Sequence, residues 1–302
     1  MYARRQQPTP RRKRPFYFAL GNNRTRWCGC SCLRVLILSS SVWPGGDWRV
    51  LFSYMRRTTA MLCPLVLAYV TLGGPFLSHA FPAVGAPAWL RALALAVGVL
   101  CVATPFWRYF RYSSTLSHEL SHLCCAALLG GSVRHIKIRF DASGVAAYTA
   151  PAEFGRVRHI IVASAGYLGP AVVGLSGAWS VVQHRAVPWL FCVAAICCVS
   201  ALLFLRNIWG VLCVSSLAGL LVLCVDRATD FTQVGIVTTL SSALLCGGVR
   251  DSRGQKHAPK GAGTDAEKIS SLLPVSTSSV CRTLEVACEM SALCGFVLLV
   301  FS

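Results

Sequence analysis

The sequence predicts an all-α, polytopic membrane protein of about seven transmembrane helices, with one short β-hairpin after a polar helix. Three observations predict this. The 302-residue chain is 55% hydrophobic and 13% charged, about half the charged share of a soluble domain. Several apolar runs reach the roughly 18 to 20 residues that cross a bilayer. One stretch, residues 133–140, instead alternates basic and apolar side chains, the period-two signature of a strand. This composition excludes intrinsic disorder, a collagen-like chain and a secreted disulfide scaffold.

The chain divides unevenly. Residues 1–57 form a basic arm expected to be flexible, and residues 58–302 a transmembrane domain with its functional core at 113–273. Of 29 Lys and Arg, 12 lie before Thr58, where Asp47 is the sole acid. Cations beside a first span keep that end cytoplasmic under the positive-inside rule, so topology and lipid contact account for the arm. A nucleic-acid role would need aromatic or motif support, which the arm lacks. Its Arg-rich, acid-poor composition with Ser39, Ser40 and Ser41 also fits an organelle transit peptide. Cys28, Cys30 and Cys32 suit reversible acylation; as a metal site they lack a nearby fourth ligand. The Asn23-Arg24-Thr25 sequon goes unused on a cytoplasmic arm. Most other cysteines, Cys63, Cys101 and Cys192 among them, sit in apolar runs, where Cys acts as a small hydrophobe.

Spans are expected near Thr59–Phe81 (interrupted by Gly73-Gly74-Pro75), Leu90–Trp107, His159–Val182, Val187–Leu205, Ile208–Val225, Phe231–Gly248 and Cys281–Phe301. Between the second and third, Ser113–Leu129 reads as a polar helix closed by Gly130-Gly131. Ser132–Tyr148 then reads as a hairpin, with Asp141-Ala142-Ser143-Gly144 as its turn. Such a hairpin can offer an open edge to which an unwound peptide adds as a strand; its plain alternative is a structural loop at the membrane interface. A polar loop runs from Arg250 to Ser279, its Gly254–Gly263 stretch expected to be flexible. No internal repeat is present, which argues against the inverted-repeat transporter plan.

The chemistry concentrates in His118-Glu119-Leu120-Ser121-His122. Histidines four apart on a helix share one face and reach a single metal ion, while Glu119 lies about 100° round from His118. This is the HExxH arrangement for Zn²⁺, with Glu119 as general base for a water acidified by the metal. Two structural histidines on a polar face are the alternative, but ionisable residues between spans are costly and usually functional.

Catalytic zinc takes a third protein ligand. The choice lies among Asp226, Asp230, Asp251, Asp265, Glu267, Glu285 and Glu289, with His159, His184 and His257 downstream and His135 and Asp141 on the hairpin. Thr264 can cap a short helix with Asp265 in its first turn, which favours Asp265 over a loop residue such as Asp251. Asp226, directly after a span, ranks second. Asn207 stands at a span boundary, able to steady a developing oxyanion or to anchor a helix end with Arg206; the anchor is the simpler role. Gly166, Gly169, Gly174 and Gly177 give the following span a small face for close helix packing.

Taken in order, His118 to His122, Gly130-Gly131, Asp141 to Gly144, Ala165-Gly166-Tyr167-Leu168-Gly169 and Arg206-Asn207-Ile208-Trp209-Gly210 resemble the M50B-type peptidases, relatives of the site-2 protease intramembrane zinc metalloproteases. The resemblance covers about half the chain, from Ser113 to Leu273. In that family a segment resembling Thr264-Asp265-Ala266 recurs after the later spans, and its aspartate is the implied third ligand. Ser121 stands where the family usually has Gly, the Asn-Pro-Asp-Gly or Leu-Asp-Gly element of site-2 proteases is missing, and the first 110 residues have no counterpart.

The sequence therefore leads to an integral-membrane zinc metalloendopeptidase acting on membrane proteins within or near their spans, without nucleic acid or an organic cofactor. His118, His122 and Asp265 would hold zinc, with Glu119 as catalytic base and Asn207 as support. Two other classes compete. An inactive relative that binds membrane clients has no reason to keep His118, Glu119 and His122 together. A metal or solute transporter would place further ionisable residues deep in several spans, and Arg91, Arg282, Glu285 and Glu289 lie toward span ends.

Overall fold

The computed structural model describes residues 16–19, 48–71, 81, 83–259 and 261–301. Cys28, Cys30, Cys32, the Asn23 sequon, Ser39–Ser41 and Gly73-Gly74-Pro75 lie outside them. Helix α1 runs Trp48–Thr71, so it begins inside the arm expected at 1–57. Helices α2 (Ala88–Ala103) and α3 (Trp107–Leu128) follow, then strands β2 (Ser132–Ile138) and β3 (Gly144–Thr149); β1 is Phe16–Ala19. Next come α4 (Arg156–Val182, with Pro170 inside it), α5 (Ala186–Val199) continued by a π turn at Ser200–Phe204, and α6 (Ile208–Arg227). Helices α7 (Asp230–Gln255), α8 (Asp265–Leu272) and α9 (Thr277–Phe301) complete the chain.

Five segments are long and apolar enough to cross a membrane: α4, α5 with its π turn, α6, α7 and α9. Helices α2 and α3 meet at 95° and make a sixth only if the bent pair counts as one span. The protein is thus a mostly helical integral membrane protein with five to six candidate spans among the described residues. Two departures explain the difference from seven. The first expected span, Thr59–Phe81, lies partly outside the described residues, and its described part, helix α1 with Arg49, Arg56 and Arg57, does not qualify. The expected Leu90–Trp107 span stops at Ala103, because Pro105 lacks an N–H and drives its predecessor out of the helical region. Thr104 accordingly adopts φ −104°, ψ 174°.

Helix α4 is the axis of the fold, packed against α3, α7, α9 and α8. The main core gathers Leu123, Ile136, Ile138, Tyr148, Val162 and Phe204 around α3 and the sheet, and a second centres on Trp189 and Leu190. Outward faces stay apolar: Leu202, Ile208, Leu220 and Phe301 are all exposed, as expected of surface that meets hydrocarbon. The polar loop expected from Arg250 is shorter than foreseen, because α7 continues to Gln255. Arg253 and Lys256 on that extension pair with Glu285 of α9. Beyond it, Glu267 accepts hydrogen bonds from the Gly261 and Gly263 amides, so this stretch is tied to α8.

The hairpin forms as expected and gains a strand: the sheet order is β1-β3-β2, antiparallel throughout. At its turn Ala142 takes φ 57° while Asp141 Oδ1 accepts from the Ser143 amide and hydroxyl. Both hairpin edges are occupied, which corrects the expected open edge. Phe16–Ala19 pairs with β3. On β2, Arg56 donates to the Arg134 carbonyl, the Arg206 amide to the Ile136 carbonyl, and the Asn207 side chain bonds both the amide and the carbonyl of Ile138.

Candidate metal centre

Helix α3 is the polar helix that carries the motif, closed by Gly130 in the left-handed region at φ 96°. Its inner face buries His118, Glu119 and His122, the last completely. Helix α8 brings the third group. Thr264 caps α8 in a reciprocal capping box with Glu267, which fixes the first turn and points Asp265 inward, where only 3% of it is exposed.

The three ligand atoms converge. His118 Nε2 and His122 Nε2 lie 3.1 Å apart, and Asp265 Oδ2 is 3.2 Å and 3.1 Å from them. This triangle is close to the roughly 3.3 Å edge of a tetrahedron drawn around zinc with bonds of about 2.0–2.1 Å. The His122 Nδ1–H donates to the Val162 carbonyl at 2.6 Å. A carbonyl only accepts, so Nδ1 carries the proton and the Nε2 lone pair faces the triangle. Two nitrogens and one carboxylate oxygen, buried and mutually facing, fit a zinc ion; among the described residues no other His, Cys, Asp or Glu group converges in this way.

Lys268, one turn along α8, donates to Asp265 Oδ1 at 2.9 Å and leaves Oδ2 to the histidines. Burial alone would push the Asp265 carboxyl up, but the charged groups beside it, Lys268 among them, hold it well below the usual carboxylate range. It is therefore an anion at neutral pH, as a cation ligand must be. Glu119 stands next to the triangle without joining it, and its Oε2 is buried with no hydrogen-bond partner among the described residues. A buried carboxylate oxygen left open is costly unless something binds there.

Two glycines permit this crowding. A β-carbon on Gly166 of α4 would come within 2.3 Å of His122 Nε2 and 2.7 Å of His118 Nε2. One on Gly144 would come within 2.5 Å of Glu119 Oε1. Main chain thus walls the site on both sides. Thr115, one turn before Glu119, donates to the Ala142 carbonyl at 2.7 Å and ties the hairpin turn to α3. Beside that turn lies a cleft of about 1150 Å³, walled by Trp107, Tyr112, Trp209 and Leu217 and bordered by Asp141 and Ala142.

A family profile, Peptidase M50B-like, matches residues 90–297. The chain belongs to that family. No curated protein and no solved structure matches it. The matched span of this M50B-like chain takes in α2 to α9, and so every residue of the metal triangle. The family is one of membrane metallopeptidases.

The remaining candidates from the sequence fall elsewhere. Asp226 is exposed at the end of α6 and pairs with Arg227 at 2.5 Å. Asp251 accepts from Ser114 and faces Arg111, and Glu285 and Glu289 pair with cations of α7. His159 meets Phe154 edge to face, and the His184 carbonyl accepts from the Val84 amide. Asn207 spends its amide on Ile138 of β2 and anchors the start of α6. Sequence reasoning missed Lys268, though its i,i+3 spacing from Asp265 was a usable signal. It also missed the contacts of Gly144 and Gly166 with the site, which only the fold reveals.

Proposed function

We propose that this M50B-like protein is a zinc endopeptidase that hydrolyses peptide bonds of membrane proteins within or near their spans. The observation that carries the reading is a buried carboxylate oxygen, Glu119 Oε2, left without a partner beside three convergent ligand atoms. His118, His122 and Asp265 are the residues to hold Zn²⁺, which when bound supplies Lewis acidity for a water and a peptide carbonyl. The chain's own groups do the rest. Glu119 takes the proton of the attacking water and passes it to the leaving amine. The Val162 carbonyl keeps the proton of His122 on Nδ1, and Lys268 keeps one oxygen of Asp265 turned away. The Gly144 and Gly166 backbones exclude bulk solvent from two sides, and the cleft beside the hairpin turn, bordered by Asp141 and Ala142, offers room for a client segment. The basic arm stays on the cytoplasmic side.

The test compares membranes expressing the wild type with membranes expressing Glu119→Gln, mapping new protein N-termini by quantitative proteomics. The expected result is a set of cleavages in or beside transmembrane segments in the wild type, reduced by roughly 10²–10⁴ in the variant while about one zinc per chain is retained. Identical N-termini in the two membranes would sink the hydrolase reading and favour a client-binding relative.

A further inference from the structure

Helices α6 and α7 follow one another in the chain, joined only by Ala228 and Thr229, yet they scarcely touch along their lengths. The cleft of about 1150 Å³ opens between them, with α3 as its third wall. Leu220 and Tyr109 on its rim are exposed, so this trough faces outward from the bundle. Its lining on α6 runs from Trp209 to Cys224, a rise of about 22 Å. The two ends differ. Arg108 and Arg111 of α3 and Arg250 of α7 line one end. There Trp209 donates to the Tyr112 hydroxyl at 3.2 Å, which donates to the Phe140 carbonyl at 2.6 Å. Toward the other end, past Leu217, Leu221 and Leu240, the lining is apolar. A second apolar hollow of about 580 Å³, between α2 and α7, adjoins the trough and shares Phe110, Ile236 and Leu240 with it. The arginines are short of anions. Arg108 donates to the Tyr109 hydroxyl and Arg250 to the Val102 carbonyl, both neutral acceptors, and Arg111 reaches Asp251 only at 3.8 Å. The one acid of the lining among the described residues, Asp141, already accepts from the Ser143 amide and hydroxyl. Arg253 and Arg282, by contrast, each hold Glu285 at 3.0 Å.

We propose that this trough is a binding site for an acidic phospholipid, its phosphate among Arg108, Arg111 and Arg250 and its two acyl chains in the trough and the adjoining hollow. Charge and shape both point to that occupant. A basic pocket between membrane helices is a setting in which anionic headgroups bind, and Tyr and Trp favour headgroup level. Here Tyr109, Tyr112 and Trp209 stand at the same end as the arginines. A trough of about 22 Å takes in headgroup level and the roughly 15 Å of one leaflet. A whole span of another protein is too large, since a 20-residue helix about 10 Å wide and 30 Å long fills roughly 2400 Å³. A free phosphate would leave the apolar length unfilled. The lipid closes the gap between α6 and α7 and bears on the hairpin turn at Asp141 and Ala142. Thr115 ties that turn to the helix of Glu119, so the composition of the membrane reaches the metal centre. The site does not rest on the hydrolase reading; under that reading, lipid and client segment exclude one another from the cleft.

The experiment titrates the full-length, zinc-loaded protein in detergent with dioleoyl phosphatidylglycerol or dioleoyl phosphatidylcholine and counts the complexes by native mass spectrometry. One phosphatidylglycerol is expected to bind at least about tenfold more tightly than phosphatidylcholine, and Arg108→Gln combined with Arg250→Gln removes that preference. A phosphatidylglycerol with a diazirine in its acyl chain labels the wild type within residues 213–224 and 236–240, which line the trough. Glycerol phosphate, the head without the chains, does not compete. Equal affinity for the two lipids overturns the proposal, as does a preference that survives in a folded double variant. So does a label spread evenly over the outer helix faces, or competition by glycerol phosphate alone. A label displaced by an apolar helical peptide of about 20 residues, but not by unlabelled phosphatidylglycerol, makes the cleft a client groove and overturns it too. The labelling needs only the wild type, so it decides the matter even where the double variant fails to fold. Lipid bound as expected, without Glu119-dependent proteolysis, upholds this proposal while the hydrolase reading falls.

Discussion

Two carboxylates, Asp265 of α8 and Glu285 of α9, are each 3% exposed, and their surroundings differ in kind. Both oxygens of Glu285 are taken by cations: Arg253 at 3.0 Å on Oε1, and Arg282 at 3.0 Å together with Lys256 on Oε2. It is saturated with charge and clips α7 to α9. Asp265 has one cation, Lys268, on Oδ1, while Oδ2 is turned to two imidazoles. The comparison teaches that burial and a lysine partner do not mark a functional carboxylate. What sets Asp265 apart is an oxygen turned to two imidazoles instead of to cations.

That contrast can be broken by experiment, beginning with the largest effect. Asp265→Ala removes one of three ligands, and zinc affinity is expected to fall by at least about a hundredfold, measured by competition with a chromophoric chelator. Retention of wild-type affinity would strike Asp265 from the site. Gly166→Ala forces a β-carbon against both imidazoles, so zinc binding should weaken markedly, with an overpacking cost of about 1–3 kcal/mol; chelator competition and thermal unfolding read the two effects separately. Lys268→Met leaves the ligands in place but frees Asp265 Oδ1. Zinc affinity should fall about tenfold, and X-ray absorption should show extra oxygen coordination as the carboxylate swings toward two-oxygen binding. Glu285→Gln sharpens the comparison from the other side: zinc stays at about one per chain, and thermal unfolding moves down by several degrees. Zinc lost from that variant would mean that the two carboxylates are not independent.

The histidines and Glu119 were legible in the sequence because helical spacing alone puts them together. Asp265 was half legible: Thr264 and Glu267 announce a capped helix, but which helix end meets α3 is decided by packing more than a hundred residues away. The later apolar helices were readable within a few residues, since their hydrophobic runs are long. The bend at Pro105 was not, because apolar content continues across it and hides a change of direction. Strand β1 escaped for another reason. Four residues, Phe16–Ala19, amid arginines are too few to show a period, and their extended form depends on β3 being there to pair with. The continuation of α7 past Arg250 likewise depends on Glu285, a partner that local composition does not reveal.

Helix α4 carries one further consequence. Pro170 has no N–H, so the carbonyl four residues earlier, that of Gly166, loses the rung a regular helix would give it. Gly166 is the residue whose backbone lies against both imidazoles. The helix ladder is therefore one rung short at the turn that bears against both imidazoles. The helix can adjust most easily where it also leaves room for the two histidines, and no side chain at position 166 is needed for either.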